Sequence, residues 1–122
     1  MTEGCNKIYD FEQRTLEFSK SVIRLCKKLP VSTINIELTK QIMRSACSVG
    51  ANYREANEAL SKKDSLHRLR ISRKEAKESS YWLDLILEAN MGFRAEIDAI
   101  SRESIELRNI LSSMIVKIDD RS

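Results

Sequence analysis

A chain of 122 residues has room for one domain, which at this size buries enough surface to fold without disulfides or a metal ion. Its composition, 42% hydrophobic and 32% charged with one proline and three glycines, is typical of a helical protein with few turns. The formal net charge of +3 permits contact with nucleic acid but does not require it. No segment approaches the roughly 18 consecutive apolar residues of a membrane span, and the chain starts without the apolar run of a signal peptide. We therefore expect a cytoplasmic protein.

The first predicted helix runs from about Asp10 to Leu29, after a short frayed tail at residues 1–8. Its apolar residues share one face, at Phe11, Phe18, Val22, Leu25 and Leu29. Asp10 is a candidate N-cap. Pro30 ends the helix because its ring disfavours helical geometry in the residue before it. The linker that follows is short, so the second helix should return antiparallel to the first.

The second predicted helix starts near Asn35 and ends at about Leu60. Its apolar face consists of Leu38, Ile42, Ala46, Val49, Tyr53, Ala56 and Leu60. The middle of this helix is rich in small residues, and Gly50 among them costs about 1 kcal/mol relative to alanine. A neighbouring backbone is therefore expected to pass close to Gly50. Asn52 and Glu55 are interpreted either as surface groups or as partners in hydrogen bonds between helices or subunits.

The third predicted helix begins after a cap at Ser61 or Asp64 and ends near Asn90, with Gly92 suited to a left-handed position. Its core face consists of Leu66, Leu69, Ala76, Leu83 and Leu87. From Tyr81 onward this helix is apolar nearly all round, which indicates burial on more than one side. We expect a second subunit to cover this end of the helix, at Tyr81, Trp82, Leu85 and Ile86. The alternative is a wide core face with a partly exposed tryptophan.

The fourth predicted helix runs from Arg94 or Glu96 to Lys117, followed by a frayed tail at residues 119–122. Its apolar face consists of Ile97, Ile100, Leu107, Leu111, Met114 and Ile118. With no sign of a strand, the predicted fold class is all-α: an antiparallel up-down-up-down four-helix bundle. Residues 1–122 form a single domain in this prediction.

The segment from Arg44 to Ala56, together with Tyr81-Trp82-Leu83, resembles the four-helix-bundle proteins encoded in intervening sequences of bacterial 23S rRNA genes. The resemblance extends from about Leu16 to Asn90. It implies the bundle fold and a ring-shaped homo-oligomer, a pentamer, in a bacterial cytoplasm. The genomic setting of the family implies a connection with RNA.

The sequence offers no enzymatic site, and we expect neither a cofactor nor a metal ion. The single histidine, His67, has no second base or nucleophile paired with it and falls on the polar side of its helix. The cysteines, Cys5, Cys26 and Cys47, lack zinc-site spacing and are interpreted as inert thiols in a reducing compartment. Cys26 and Cys47 are expected to be small buried side chains.

A row of cations is the best candidate for function. Lys63, Arg70, Lys74 and Lys77 share one face of the third helix, with Arg73 beside them. Such a row can follow a phosphate backbone, a ring of subunits would multiply the contacts, and Tyr81 could stack on a base. The alternative is an ordinary solvated helix face.

Two functions follow from these patterns. The first is a non-enzymatic homo-oligomer that binds nucleic acid, RNA in preference to DNA, through this row. The second is a homo-oligomeric scaffold that binds a protein partner and no nucleic acid.

Overall fold

Four α-helices account for most of the chain, and the computed structural model describes residues 3–120, with side chains from residue 10 onward. The helices are α1 (Glu3–Lys28), α2 (Thr33–Asn57), α3 (Lys62–Ala89) and α4 (Arg94–Asp119), and a single 3-10 turn at Met91–Phe93 precedes α4. No strand occurs within residues 3–120, which confirms the predicted all-α class. None of these helices combines the length and the hydropathy that crossing a membrane would require.

Contacts between helix ends show the antiparallel arrangement. Lys28 at the end of α1 pairs with Glu96 at the start of α4, with 3.0 Å between Nζ and Oε1. Arg54 near the end of α2 lies 3.7 Å from a carboxylate oxygen of Glu12, in the first half of α1. Each helix packs against its neighbour in the chain, and α1 closes the bundle against α4. The helices therefore run up, down, up and down around one axis.

One continuous apolar core fills the space between the helices. All four helices contribute because their apolar residues recur every three or four positions. Each fully buried leucine, isoleucine or phenylalanine contributes about 1.5–3 kcal/mol. The largest apolar side chains with almost no exposure are Phe18, Val22, Leu25, Ile42, Val49, Leu83, Ile86, Ile97, Leu107 and Leu111.

The small residues of α2 bring neighbouring helices close, as predicted for Gly50. A Cβ atom at Gly50 would lie 3.0 Å from Oγ1 and 3.2 Å from Cβ of Thr15 in α1. On the other side of α2, Ser79 of α3 donates to Oγ of Ser45 at 3.0 Å. These short side chains let three helices approach one another while their buried hydroxyls stay hydrogen-bonded.

Side-chain caps set the helix ends. Ser32 Oγ accepts from the backbone N–H of Asn35, so α2 begins at Thr33, two residues before its predicted start. Ser61 Oγ accepts from the N–H of Asp64, which confirms one of the two predicted caps of α3.

A pair of buried amides joins the two turns at one end of the bundle. Asn35 and Asn90 each donate through Nδ2 to the other's Oδ1 at 2.9 Å. Asn90 also donates to the carbonyl of Ile86 and so satisfies the last turn of α3. The predicted left-handed glycine after α3 is wrong: Gly92 lies in the 3-10 turn, and no described glycine has a positive φ.

Three further expectations need correction. Asp10 is not an N-cap, because the backbone is already helical from Glu3 and no proline or glycine interrupts it between residues 5 and 29. Leu60 does not extend the face of α2, because the helix ends at Asn57 and Leu60 is fully exposed in the turn.

Cys47 is exposed and Cys26 half-buried, so neither is a core residue. The Cys5 side chain and residues 1, 2, 121 and 122, parts of the predicted tails, lie outside the described residues.

Candidate nucleic-acid-binding groove

Four of the five predicted cations lie together in the valley between α3 and α4. Arg70, Arg73, Lys74 and Lys77 line an open groove with a volume of about 460 Å³. The helical repeat explains the grouping, since residues 70, 74 and 77 fall on one face of α3. Arg73 lies at the edge of this face that is nearer to α4. Lys63 is exposed but is not among the residues that line the groove.

The second wall of the groove comes from α4, which sequence reasoning missed. Arg108 and Ser112, one helical turn apart, complete the lining. The apolar periodicity of α4 identifies its core face but not which polar residues face α3. That choice depends on the register between the helices, which a 2.6 Å hydrogen bond between the hydroxyls of Ser80 and Ser104 marks.

The cations of the groove differ from most others in the bundle because they have few acidic partners. Within the described chain, Arg73, Lys74, Lys77 and Arg108 form no ion pair, and Arg108 Nη2 donates only to the amide oxygen of Asn109 at 3.3 Å. Arg70 has one carboxylate near it, Asp119, at 3.6 Å.

Several cations elsewhere in the bundle are paired with acidic residues on neighbouring helices. Arg14 of α1 donates through Nε to Glu103 of α4 at 2.8 Å, and this hydrogen bond raises the pKa of the guanidinium. Arg44 of α2 bridges Glu75 and Glu78 of α3. The α3–α4 groove thus brings together four cations that form no ion pair within the described chain, although the chain as a whole is only +3.

One turn beyond Lys77 on the same face of α3, Tyr81 is 57% exposed. Its ring meets that of Trp82 edge to face, with centroids 5.1 Å apart and planes at 70°. The indole is fixed in turn, because Trp82 Nε1 donates to Glu78 at 2.9 Å and Glu78 is paired with Arg44. The exposed ring of Tyr81 therefore packs against a tryptophan whose own orientation is fixed by a hydrogen bond.

The residues predicted to form a subunit contact do not share one surface. Tyr81 is exposed and continues the cationic face, whereas Trp82 is half-buried, packs against the core and points towards α2. Leu85 is half-buried. Ile86 is fully buried in the core of its own bundle, so its side chain is not available for the predicted subunit contact. It lies one residue, about 100°, beyond Leu85, which turns its side chain inwards.

The remaining polar candidates are structural or exposed. Asn52 Oδ1 accepts from Arg68 of α3 at 3.2 Å, a hydrogen bond between helices, whereas Glu55 is exposed. His67 is exposed, as predicted.

Burial raises the pKa of the Cys26 thiol and of the Tyr53 hydroxyl, so both are protonated at neutral pH. Residues 10–120 contain no group of three or more side chains arranged to hold a metal ion.

These observations define a small all-α protein with four antiparallel helices and a cationic groove between the last two. The model of the 23S rRNA-intervening sequence protein family matches residues 7–113, and the chain belongs to this family. The resemblance seen in the α2 and α3 segments is thereby confirmed.

A solved structure is similar over most of both chains. It is a protein of unknown function from the S23 ribosomal protein family of Bacteroides thetaiotaomicron VPI-5482, determined at 1.70 Å resolution. The two chains share 35% sequence identity with a TM-score of 0.75, and the match covers 86% of this chain and 97% of that one. No curated protein sequence gives a significant match.

Proposed function

We propose that this protein is a non-enzymatic, homo-oligomeric nucleic-acid-binding protein that holds the phosphate backbone of RNA in the α3–α4 groove. The observation that carries the proposal is the meeting of five cationic side chains from two helices in one open valley. Phosphate contacts dominate the affinity of proteins for nucleic acid, and lysine and arginine supply most of them. Membership of a family named for an rRNA intervening sequence favours RNA over DNA.

The dimensions of the groove suit a nucleic-acid strand. Arg70 and Lys77 are about 10 Å apart along α3, at 1.5 Å per residue. At the ~3.4 Å per nucleotide of a stacked strand, that distance corresponds to about three phosphates. Arg108 contributes from the opposite wall, so the strand would be contacted from two sides.

The lining of the groove favours binding over catalysis. It consists of cations and one serine, with no carboxylate or histidine to move a proton. A site of this composition attracts anions.

Oligomerisation is the second part of the proposal. The resemblance to ring-forming proteins suggests a pentamer, and the half-buried Trp82 and Leu85 are the candidate contacts with a neighbouring subunit. Repeating the groove around a ring would raise the affinity for a long RNA, because later contacts become intramolecular.

A charge-reversal experiment tests the binding site. In fluorescence anisotropy with a 20-nucleotide single-stranded RNA at low salt, the double variant Lys74→Glu, Lys77→Glu should lose binding. The control Lys27→Glu, Lys40→Glu makes the same charge change on exposed residues of α1 and α2 outside the groove and should retain most of the affinity. Circular dichroism should show both variants helical. Equal losses in the two double variants would contradict a localised site.

One observation favours the scaffold alternative. The end of the bundle that carries the α1–α2 turn exposes Val31 by 92%, Ile34 by 62% and, in the neighbouring turn, Met91 by 54%. Clusters of exposed apolar side chains mark protein contacts. If this function is correct, Val31→Ser with Ile34→Ser should abolish capture of a protein partner, and reversal of Lys74 and Lys77 should have no effect.

A further inference from the structure

We infer that the groove selects single-stranded RNA, with Tyr81 as a stacking platform for an unpaired base at one end of the cationic row. This inference rests on the proposed function and specifies which form of RNA the same site takes. It is carried by three observations: the position of Tyr81, its exposure and the way its ring is held.

Tyr81 is aligned with the phosphate-binding row. Residues 70, 74, 77 and 81 are spaced four, three and four apart, so Tyr81 continues the face that carries Arg70, Lys74 and Lys77. It lies about 6 Å beyond Lys77 along the helix axis. A strand whose phosphates lie on Lys74 and Lys77 would therefore bring the next base beside the tyrosine ring.

The ring is both accessible and braced. Tyr81 is 57% exposed, and its edge-to-face contact with Trp82 restricts its orientation. Trp82 is held by its hydrogen bond to Glu78, which is anchored by Arg44. A ring held in place before binding loses less conformational entropy when a base stacks on it.

The surroundings of Tyr81 also suit a base. Ile105 follows Ser104, the residue whose hydroxyl is hydrogen-bonded to Ser80, and is 41% exposed. Tyr81 follows Ser80, so the two exposed side chains flank the same point of the α3–α4 junction. Beyond this point α3 carries the exposed acids Asp84 and Glu88, which would repel phosphates. The cationic row therefore ends at a small exposed apolar surface formed by Tyr81 and Ile105.

Stacking on Tyr81 distinguishes strands from duplexes. In a duplex the bases are paired and stacked on one another, so no base inside it can reach the ring without first leaving the helix. Charge alone would favour a duplex, which carries one charge per ~1.7 Å against ~3.4 Å for one strand. A preference for single strands therefore indicates stacking and not phosphate contact alone.

The test compares Tyr81→Leu with Tyr81→Phe, which differ in the aromatic ring at similar size. In anisotropy titrations with a ten-nucleotide oligouridine, Tyr81→Leu should bind about five- to a hundredfold more weakly than Tyr81→Phe. With a blunt ten-base-pair RNA duplex the two variants should differ less than twofold, and the wild type should prefer the single strand. Ile23→Ala, an exposed apolar change on α1, should leave both affinities unchanged.

Two further readouts separate stacking from other roles of Tyr81. The emission of Trp82, the only tryptophan of the chain, should change when oligouridine binds and stay constant with the duplex. Light scattering should give the same mass for Tyr81→Leu and wild type. A lower mass would assign Tyr81 to a subunit contact and overturn the inference.

The outcomes separate this inference from the proposed function. Loss of binding on reversal of Lys74 and Lys77, with equal affinities for Tyr81→Leu and Tyr81→Phe, would overturn the role of Tyr81 and leave the groove intact. A tighter complex with the duplex would do the same. No binding of either RNA by the wild type would reject both proposals.

Discussion

At the scale of single residues, Gly50 packs so closely against Thr15 that a side chain at position 50 would crowd it. Thr15 is almost fully buried, and its hydroxyl donates to the carbonyl of Glu12 at 2.9 Å, so it has little freedom to move. The sequence indicated this contact because a glycine in mid-helix is unfavourable without a reason. It did not identify the partner, which lies 35 residues away on another helix.

Replacement of Gly50 by alanine should destabilise the protein despite the better helix propensity of alanine. The new methyl group would meet Thr15 at 3.0–3.2 Å, and overpacking of this kind costs about 1–3 kcal/mol against a gain of about 1 kcal/mol. Thermal denaturation followed by circular dichroism should show a lower Tm.

Gly92→Ala is the matched control for this substitution, because a methyl group at Gly92 would have no atom within 4 Å and the φ of Gly92 is not positive. Its Tm should be unchanged or slightly raised. A raised Tm for Gly50→Ala would show that α1 can move away from α2.

At the scale of the helices and turns, periodicity and capping chemistry predicted most of the fold. Pro30 marks the end of α1 and Ser61 the start of α3 within a few residues. The misjudged ends, at Asp10, Leu60 and Gly92, lack a residue whose geometry requires a helix to stop there. At the end of α3, the hydrogen bonds between Asn35 and Asn90 come from positions 55 residues apart, and local patterns do not show them.

The amide pair should contribute to stability as a unit. Asn90→Ala leaves the buried amide of Asn35 without one partner and removes the cap on the carbonyl of Ile86, which costs about 1–3 kcal/mol. A urea denaturation curve should shift to a lower midpoint. Asn57→Ala removes an exposed amide bonded to Glu12 and should shift the midpoint far less. Equal shifts would show that the buried amide pair contributes no more to stability than an exposed amide does.

The groove was predicted only in part, because one of its two walls depends on how α3 and α4 pack against each other. Its α3 wall follows from the spacing of cations on one helix, which the sequence displays. Arg108 and Ser112 join it through the register of α3 against α4, and Asp119 approaches Arg70 for the same reason. No pattern within α4 alone distinguishes these residues from other polar positions.

Removal of the carboxylate beside the groove should strengthen RNA binding. Asp119→Asn frees Arg70 from its only ion pair within the described chain, and exposed pairs of this kind are worth up to about 1 kcal/mol. The affinity for single-stranded RNA should therefore rise by up to about fivefold at low salt. Asp98→Asn makes the same charge change beside Arg94, outside the groove. An equal rise in both variants would point to net charge and not to the groove.

At the scale of the whole molecule, the distribution of charge matters more than its sum. The +3 balance of the sequence fits a nucleic-acid-binding protein and a scaffold equally well. Pairs between helices neutralise cations such as Arg14, Lys28 and Arg44, while most cations of the α3–α4 groove are unpaired within the described chain. The proposal of nucleic-acid binding rests on this grouping and not on the net charge. The solved relative, whose function is unknown, adds support for the fold alone.

RNA binding by an oligomer is tested most directly by the mass of the purified protein in solution, measured by light scattering with and without a 20-nucleotide single-stranded RNA. We expect a multimer that gains the mass of the RNA at low salt and loses it as salt rises. If all five groove cations displace counterions, the logarithm of the affinity should fall against the logarithm of salt with a slope of about −3.5. A multimer that takes up no RNA at low salt would contradict the nucleic-acid-binding function, and a monomer would contradict the assembly.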